Sequence, residues 1–391
     1  MLFAAAWVLG AVLLWRTTVP RDVHVPHVDP GDYFTPHQLH RTEHYDGFLR
    51  WLWLVGTIVQ LAVLVALVPF GPRLARAFDL GKVGTGVLLG TFATLVLWLA
   101  GLPFGFLGLW WDRRYHVSKQ SYVEWLLAQW PSLLGQVVGL TILLTFLMLL
   151  AGWLRRRWWL VAAPVLLVVG AGLVFLVSFA MRIGTHPVGS PRITHDIASL
   201  ERKEHVSGTP VRVEKVSDET PMINAEAVGP AQASAVILWD TLFDGRLGRR
   251  EIDVVIAHEL GHVARKHLWK GIGWSVLFTF PVLFLLYEAT RRRGGLHRPE
   301  VVPFALLVIA LLNLVSLPLE NVISRHIESE ADWRALVTTR DPKAARKLFH
   351  DFAVHDLAQP RPPAWDYVML ENHPTVVQRI AMANAWETRS R

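Results

Sequence analysis

The sequence predicts a mainly α fold: a polytopic membrane protein with about seven helical crossings, joined to a polar α+β unit. Composition is the first reason. Of 391 residues 52% are hydrophobic and 18 are Trp, and the mean hydropathy is +0.33, too apolar for a water-soluble domain. Spacing is the second, because apolar runs able to cross ~30 Å of hydrocarbon as helices recur along the chain. The third is a change of character after residue 181, where charges return with short alternating segments.

Residues 1–15 (MLFAAAWVLGAVLLW) are continuously apolar. They lack a basic leader and a small-residue cleavage site, which marks an uncleaved membrane segment, though a short one for a full span. Residues 16–50 are polar and include His24, His27, His37, His40 and His44 at irregular spacings, which reads as solvated histidines in a loop and short helix. Four longer runs follow at about 51–70, 83–104, 132–152 and 158–181. Trp51, Trp53, Trp110, Trp111, Trp130, Trp153, Trp158 and Trp159 lie near their ends, as an interfacial aromatic belt requires. Gly101, Pro103 and Gly105 are expected to break or kink one of these spans.

In the polar region, Val211 to Val216 alternate and Ala235 to Leu238 are apolar, with Gly229-Pro230 punctuating the stretch between them. The segment PMINAEAVGPAQASAVILWDTLF, residues 221–243, thus reads as two strands joined by a turn at Gly229-Pro230. An edge strand there would bind an extended peptide through its main chain; an ordinary hairpin fits the spacing equally well. Two further apolar runs, about 271–287 and 301–319, flank the basic Arg291-Arg292-Arg293-Gly294-Gly295.

The net charge of +7 is carried largely by arginines in short segments between apolar runs, which suits lipid headgroups rather than a nucleic-acid groove. Cysteine is absent, so there are no disulfides. Arginine in excess of lysine, with abundant Ala, Val, Leu and Gly, points to a GC-rich bacterial source and hence to a cell membrane.

The segment from Glu251 to His267 reads EIDVVIAHELGHVARKH and contains HExxH at His258–His262. Four residues at about 100° each place His258 and His262 one turn apart on a single helix face. Two neutral imidazoles so placed can hold a Zn²⁺ ion, and Glu259 beside them can take a proton from an attacking water. A third donor is needed. The two apolar runs after the motif return the chain to the same membrane face, where it reads ENVISRHIESEAD, residues 320–332. Glu328 and Asp332, four apart, share a helix face; Glu330 is turned about 200° from Glu328. Glu328 is the candidate third ligand, Asp332 the acceptor for a ligand histidine's outer N–H, and Glu320 the reserve. Glu330 and Arg334 read as a solvated or ion-paired helix surface, and Arg325 as either an ion pair or a substrate contact.

HELGH followed by SRHIESEAD resembles the type I CAAX prenyl protease family of integral-membrane zinc metalloproteases, with the bacterial HtpX proteases as more distant relatives. The family pattern SRxxExxAD falls on Ser324, Arg325, Glu328, Ala331 and Asp332. Further matches are Asn224-Ala225 with Gly229, Asp240-Thr241-Leu242, HPxxxxRI at His373, Pro374, Arg379 and Ile380, and Ser118-Lys119-Gln120-Ser121 with Trp125. The resemblance implies a seven-helix membrane barrel around a polar chamber, with a zincin-like catalytic domain at one face. It implies Glu328 as third ligand, substrate contacts at Asn224, Ala225 and Arg325, and a role for His373 beside the reacting carbonyl. Capping of the helix after Pro374 is the competing role for His373. His267, five positions past His262 and off the ligand face, reads as structural. Glu226 stands where the family often has an aromatic, so prenylated CaaX specificity is not carried over.

The reading is a zinc metalloendopeptidase, one Zn²⁺ per chain, acting on protein or peptide substrates associated with the bilayer. Its parts are a membrane domain (1–181), a first catalytic part (182–270), a membrane hairpin (271–319) and a second catalytic part (320–391). A non-catalytic zinc-binding regulator and a transporter are the alternatives; intact Glu259 argues against the first, and few ionisable groups within the spans against the second. Two cues for sidedness oppose each other: dense basic loops near 71–82, 154–157 and 290–298 put the zinc motif outside, whereas the resemblance implies a cytosolic site.

Overall fold

The computed structural model describes residues 2–78 and 80–390, so Met1, Asp79 and Arg391 lie outside the described residues. The first apolar run is α1 (Leu2–Leu14), 13 residues, or about 20 Å of helix, short of a full crossing. It lies against a later span, to which Trp7 Nε1 donates at the carbonyl of Leu277.

Four long helices follow in the membrane part: α2 (Pro36–Ala77), α3 (Gly81–Arg114), α4 (Tyr122–Leu154) and α5 (Trp158–Ala180). Helix α2 starts some 15 residues before its apolar run, because Thr35 and Gln38 close a capping box ahead of Pro36. The polar stretch 36–50 is thus a helical extension out of the bilayer: Tyr45 donates to Asp112 at 2.8 Å and Arg50 pairs with Asp366 at 3.0 Å. A second capping box, Ser121 with Glu124, starts α4. Of the break or kink expected at Gly101, Pro103 and Gly105, the break does not occur: α3 runs through all three. The aromatic belt is also only partial. Trp51 and Trp153 project outward, but Trp111 and Trp158 are buried, Trp111 donating to the carbonyl of Tyr45.

The polar unit begins with β1 (His186–Pro187), α6 (Pro191–Glu204), β2 (Val211–Glu214), β3 (Ala225–Val228) and β4 (Ala235–Trp239). They form one sheet in the order β1-β2-β4-β3, with β2 parallel to β4 and β3 antiparallel to it. The expected hairpin is β3–β4, and β3 is an edge strand of the sheet. Gly229 makes the turn: its φ is +74°, and a Cβ there would lie 2.0 Å from the carbonyl oxygen of Ala233.

Then come α7 (Arg249–Ala264), α8 (His267–Arg291), α9 (Val302–Thr339), α10 (Pro342–His355), α11 (Ala364–Met369) and α12 (Val376–Ser390). Helix α9 is continuous from the bilayer into the polar unit, so the boundary drawn at 319/320 falls inside one helix. Val236, Leu238, Ile256, Leu260, Leu336 and Ile380 meet in the main core, which joins sheet, α7, the end of α9 and α12.

Among the described residues six helices are long and apolar enough to cross a membrane: α2, α3, α4, α5, α8 and the stretch from Pro299 through α9. With α1 as a seventh, shorter apolar helix, the expected count of about seven is close. Large apolar side chains such as Val168 and Val315 face outward from the spans, a surface suited to lipid rather than water. A cavity of about 910 Å³ between α4, α5, α8 and α9 is lined mainly by Leu, Ile and Val, with Glu320 and Ser324 at one end. Polar side chains line a smaller cavity of about 400 Å³, where Gln60, Gln129 and Gln136 project between α2, α3 and α4.

Candidate metal centre

Helix α7 is almost wholly buried, and it brings the HExxH residues against α9. Gly261 permits the approach, since a Cβ there would meet Arg334 Cβ at 3.1 Å. At this crossing one donor atom from each of His258, His262 and Glu328 lies within 4.8 Å of the others. His258 Nε2 is 3.1 Å from His262 Nε2, and Glu328 Oε2 is 3.2 and 3.6 Å from those two nitrogens. An ion bonded at ~2.0–2.1 Å to tetrahedral ligands requires donors about 3.3–3.4 Å apart, so the spacing fits one. Glu328 Oε2 is also buried and accepts no hydrogen bond among the described residues, an orphan a cation would satisfy. Glu320 lies two turns away, where it accepts from Ser316, and has no part in this group.

The outer nitrogen of each histidine is occupied. His258 Nδ1 donates to Asp332 Oδ1 at 2.9 Å, and Asp332 in turn accepts both from Nε of Arg379 at 2.9 Å and from its Nη2 at 2.6 Å. Burial disfavours the His258 imidazolium, but the hydrogen bond to Asp332 and the adjacent Glu328 carboxylate more than compensate and raise its pKa to about 10. Each nitrogen of the His258 ring thus faces a carboxylate, Asp332 on one side and Glu328 on the other. His262 Nδ1 meets Nδ1 of His267 at 2.9 Å, and His267 Nε2 meets Oε2 of Glu330 at 3.1 Å.

Of the solvated or ion-paired surface expected for Glu330, the ion pairing holds and the solvation does not. Glu330 does face away from Glu328, but its side chain is fully buried, holding Arg265 at 2.9 Å, Lys270 at 2.6 Å and the backbone N–H of Thr18 at 2.7 Å. Arg334 is likewise paired, with Glu204 at 2.7 Å. Arg325 donates to the carbonyls of Tyr367 and Glu371 and stacks on the Tyr367 ring at 4.2 Å. Its guanidinium thus fastens α9 to the segment that carries His373.

His373 Nε2 lies 3.3 Å from Glu328 Oε2, and its side chain is 49% exposed. It does not cap the following helix; Thr375 and Gln378 do so, each bonding the other's backbone N–H. Asn224, Ala225, His258, Glu259, His373 and Arg379 all line one cavity of about 360 Å³. The free edge strand β3 borders this cavity through Ala225, and β3 packs on α7. Asp240 and Thr241 prove structural: Asp240 accepts from the N–H groups of Val216 and Ser217, and Thr241 donates to the carbonyl of Met222. Among the described residues the amino-terminal histidines form no such donor group.

Sequence reasoning assigned no role to Arg379 or Thr18 and missed the contact of His267 with His262. The acid at Asp332 was the available signal for Arg379, since a buried carboxylate needs a cation or donors around it.

A helical membrane protein with a His–His–Glu donor group where two helices cross, opening on a sheet edge, has the architecture of an integral-membrane metalloprotease. The chain belongs to peptidase family M48, whose family model matches residues 187–387. It is 25% identical over 400 residues to the protein described as uncharacterized metalloprotease YhfN of Bacillus subtilis strain 168, covering 95% of this chain and 91% of that one. It is 30% identical over 201 residues to protease HtpX homolog 1 of Streptomyces coelicolor, covering 49% of this chain and 64% of the relative. The crystal structure of S. mikatae Ste24p superposes with a TM-score of 0.77 at 18% identity, over 97% of this chain and 96% of that one. The type I CAAX protease resemblance read from the motifs is thereby borne out, and the protein is a multi-pass membrane metalloprotease.

Proposed function

We propose that this chain is a zinc endopeptidase that cleaves peptide bonds in membrane-associated proteins or peptides, with one Zn²⁺ held by His258, His262 and Glu328. The observation that carries the reading is the donor triangle of 3.1, 3.2 and 3.6 Å around an otherwise orphaned Glu328 oxygen. Zinc bound there would polarise the scissile carbonyl and acidify a water. Glu259, buried and on the wall of the same cavity, takes the proton of the attacking water and passes it to the leaving amine. His373 stands beside Glu328 and donates to the oxygen that gains charge as the carbonyl is attacked. Asn224 and Ala225 lie where an extended substrate would run along β3, forming main-chain hydrogen bonds. Arg325 acts behind the site by holding the His373 segment to α9. The membrane helices, including the 271–319 hairpin, form one part, and residues 182–270 with 320–391 form the catalytic part. Matches to proteins of Bacillus and Streptomyces support a bacterial cell membrane as the location.

The test uses the full chain purified in detergent. Zinc is measured per chain by mass spectrometry, and cleavage of a peptide library is followed with wild type and Glu259→Gln. One zinc per chain with cleavage only by wild type supports the reading. Zinc without cleavage would mark a binding protein, and no zinc at all would remove the basis for hydrolysis.

A further inference from the structure

The two metal-facing histidines are held from behind by arms of different length. His258 reaches a carboxylate directly, at Asp332. His262 reaches one only through a second imidazole: its Nδ1 contacts His267 Nδ1 at 2.9 Å, and His267 Nε2 contacts Glu330 Oε2 at 3.1 Å. The hydrogen-bond directions in this arm are determined by chemistry. Glu330, as a carboxylate, only accepts, so a neutral His267 must carry its single ring proton on Nε2. His267 Nδ1 is then an acceptor, so His262 must carry its proton on Nδ1. That leaves the lone pair of His262 Nε2 free and aimed at His258 and Glu328, the tautomer a metal ligand needs.

We propose that His267 and Glu330 are positioning residues that fix the tautomer and ring orientation of His262, and that the segment after α1 helps to hold them. This rests on the metal reading above. Thr18 supplies two of Glu330's donors, its backbone N–H at 2.7 Å and its hydroxyl at 3.0 Å. Lys270 bridges Glu330 and the carbonyl of Arg16, at 2.6 and 2.9 Å. Arg265 completes the set at 2.9 Å. Five donors converge on one buried carboxylate, so its place does not depend on His267 alone. The relay acts through His262 and touches no substrate.

The experiment measures zinc affinity of the full-length protein by chelator competition, with the absorption spectrum of the cobalt-substituted protein as a second readout of ligand geometry. His267→Phe keeps the ring volume and removes both nitrogens. It is expected to weaken zinc binding about 10–100-fold and to alter the cobalt spectrum. His267→Gln, whose amide can accept from His262 and donate to Glu330, is expected to restore affinity to within about 3-fold of wild type. Affinity of His267→Phe within about 3-fold of wild type would overturn the proposal, as would a Gln variant no better than the Phe variant. Should His267→Phe fail to fold, Glu330→Gln decides. It is expected to lose about 10-fold in affinity, and unchanged affinity overturns the relay. Wild type that binds no zinc would instead sink the metal reading, a result distinct from the failure of the relay alone.

Discussion

His258 and Asp332 are joined by a 2.9 Å hydrogen bond between Nδ1 and Oδ1, linking the HExxH helix to the helix that carries Glu328. The bond turns the other ring nitrogen toward His262 and Glu328, and Arg379 fixes the carboxylate from its far side. Replacing Asp332 by Asn leaves an oxygen acceptor but strips Arg379 of its counter-charge in a buried setting. Zinc affinity should fall about 10–100-fold by chelator competition, and thermal stability in detergent should fall as well.

Glu328→Gln removes the only anionic donor of the triangle without changing its size. Zinc per chain, measured after dialysis, should drop far below one, and hydrolysis should vanish with it. Retention of a full equivalent would show that the ion is held elsewhere.

Glu259 adjoins the donors without being one of them. Glu259→Gln should therefore keep its zinc while turnover of a cleaved peptide falls about 10²–10⁴-fold. Loss of metal in this variant would contradict the division of labour.

For His373 the expected signature is in kcat. Its exposed ring reaches toward Glu328 from the cavity side, so His373→Ala should bind zinc normally and lose about 10²–10³-fold in kcat, with a smaller change in KM. A change confined to KM would make it a substrate-binding residue only.

Asp356 gives a pH-dependent prediction. Burial raises its carboxyl to about 7, against the N–H bond from Ile223 and the charge of Arg246, which both lower it. The folded value exceeds that of the unfolded chain, ~3.9. The group's contribution to stability is thus full below about pH 4 and lost as pH rises through 7. Asp356→Asn keeps an acceptor for Ile223 and has no charge to bury. Its melting temperature should exceed that of wild type at pH 8 and match it at pH 4.5. An equal gain at both values would refute the electrostatic cause.

What could be read from the sequence depended on periodicity. His258 with His262, and Glu328 with Asp332, are each one helical turn apart, and counting placed both pairs on the faces they occupy. Counting put His267 off the ligand face by continuing the same helix, which is sound only while the helix lasts. It ends at Ala264; Lys266 takes a left-handed conformation at φ +55°, and α8 starts afresh, bringing His267 back against His262. For Glu330 the direction and the ion pairing were legible but the burial was not, because the partners that bury it include Thr18, 312 residues away. The continuity of α3 through Pro103 was hidden for another reason, since tight packing against α2 and α4 outweighs one missing helix hydrogen bond.

The scattered origin of these groups also orders events during synthesis. A ribosome delivers the histidine pair first, Glu328 only after another membrane hairpin, and His373 and Arg379 later still. A chain halted before that point lacks part of the donor group or of its supports, so under the proposed reading the site is complete only once nearly all of the sequence has been made.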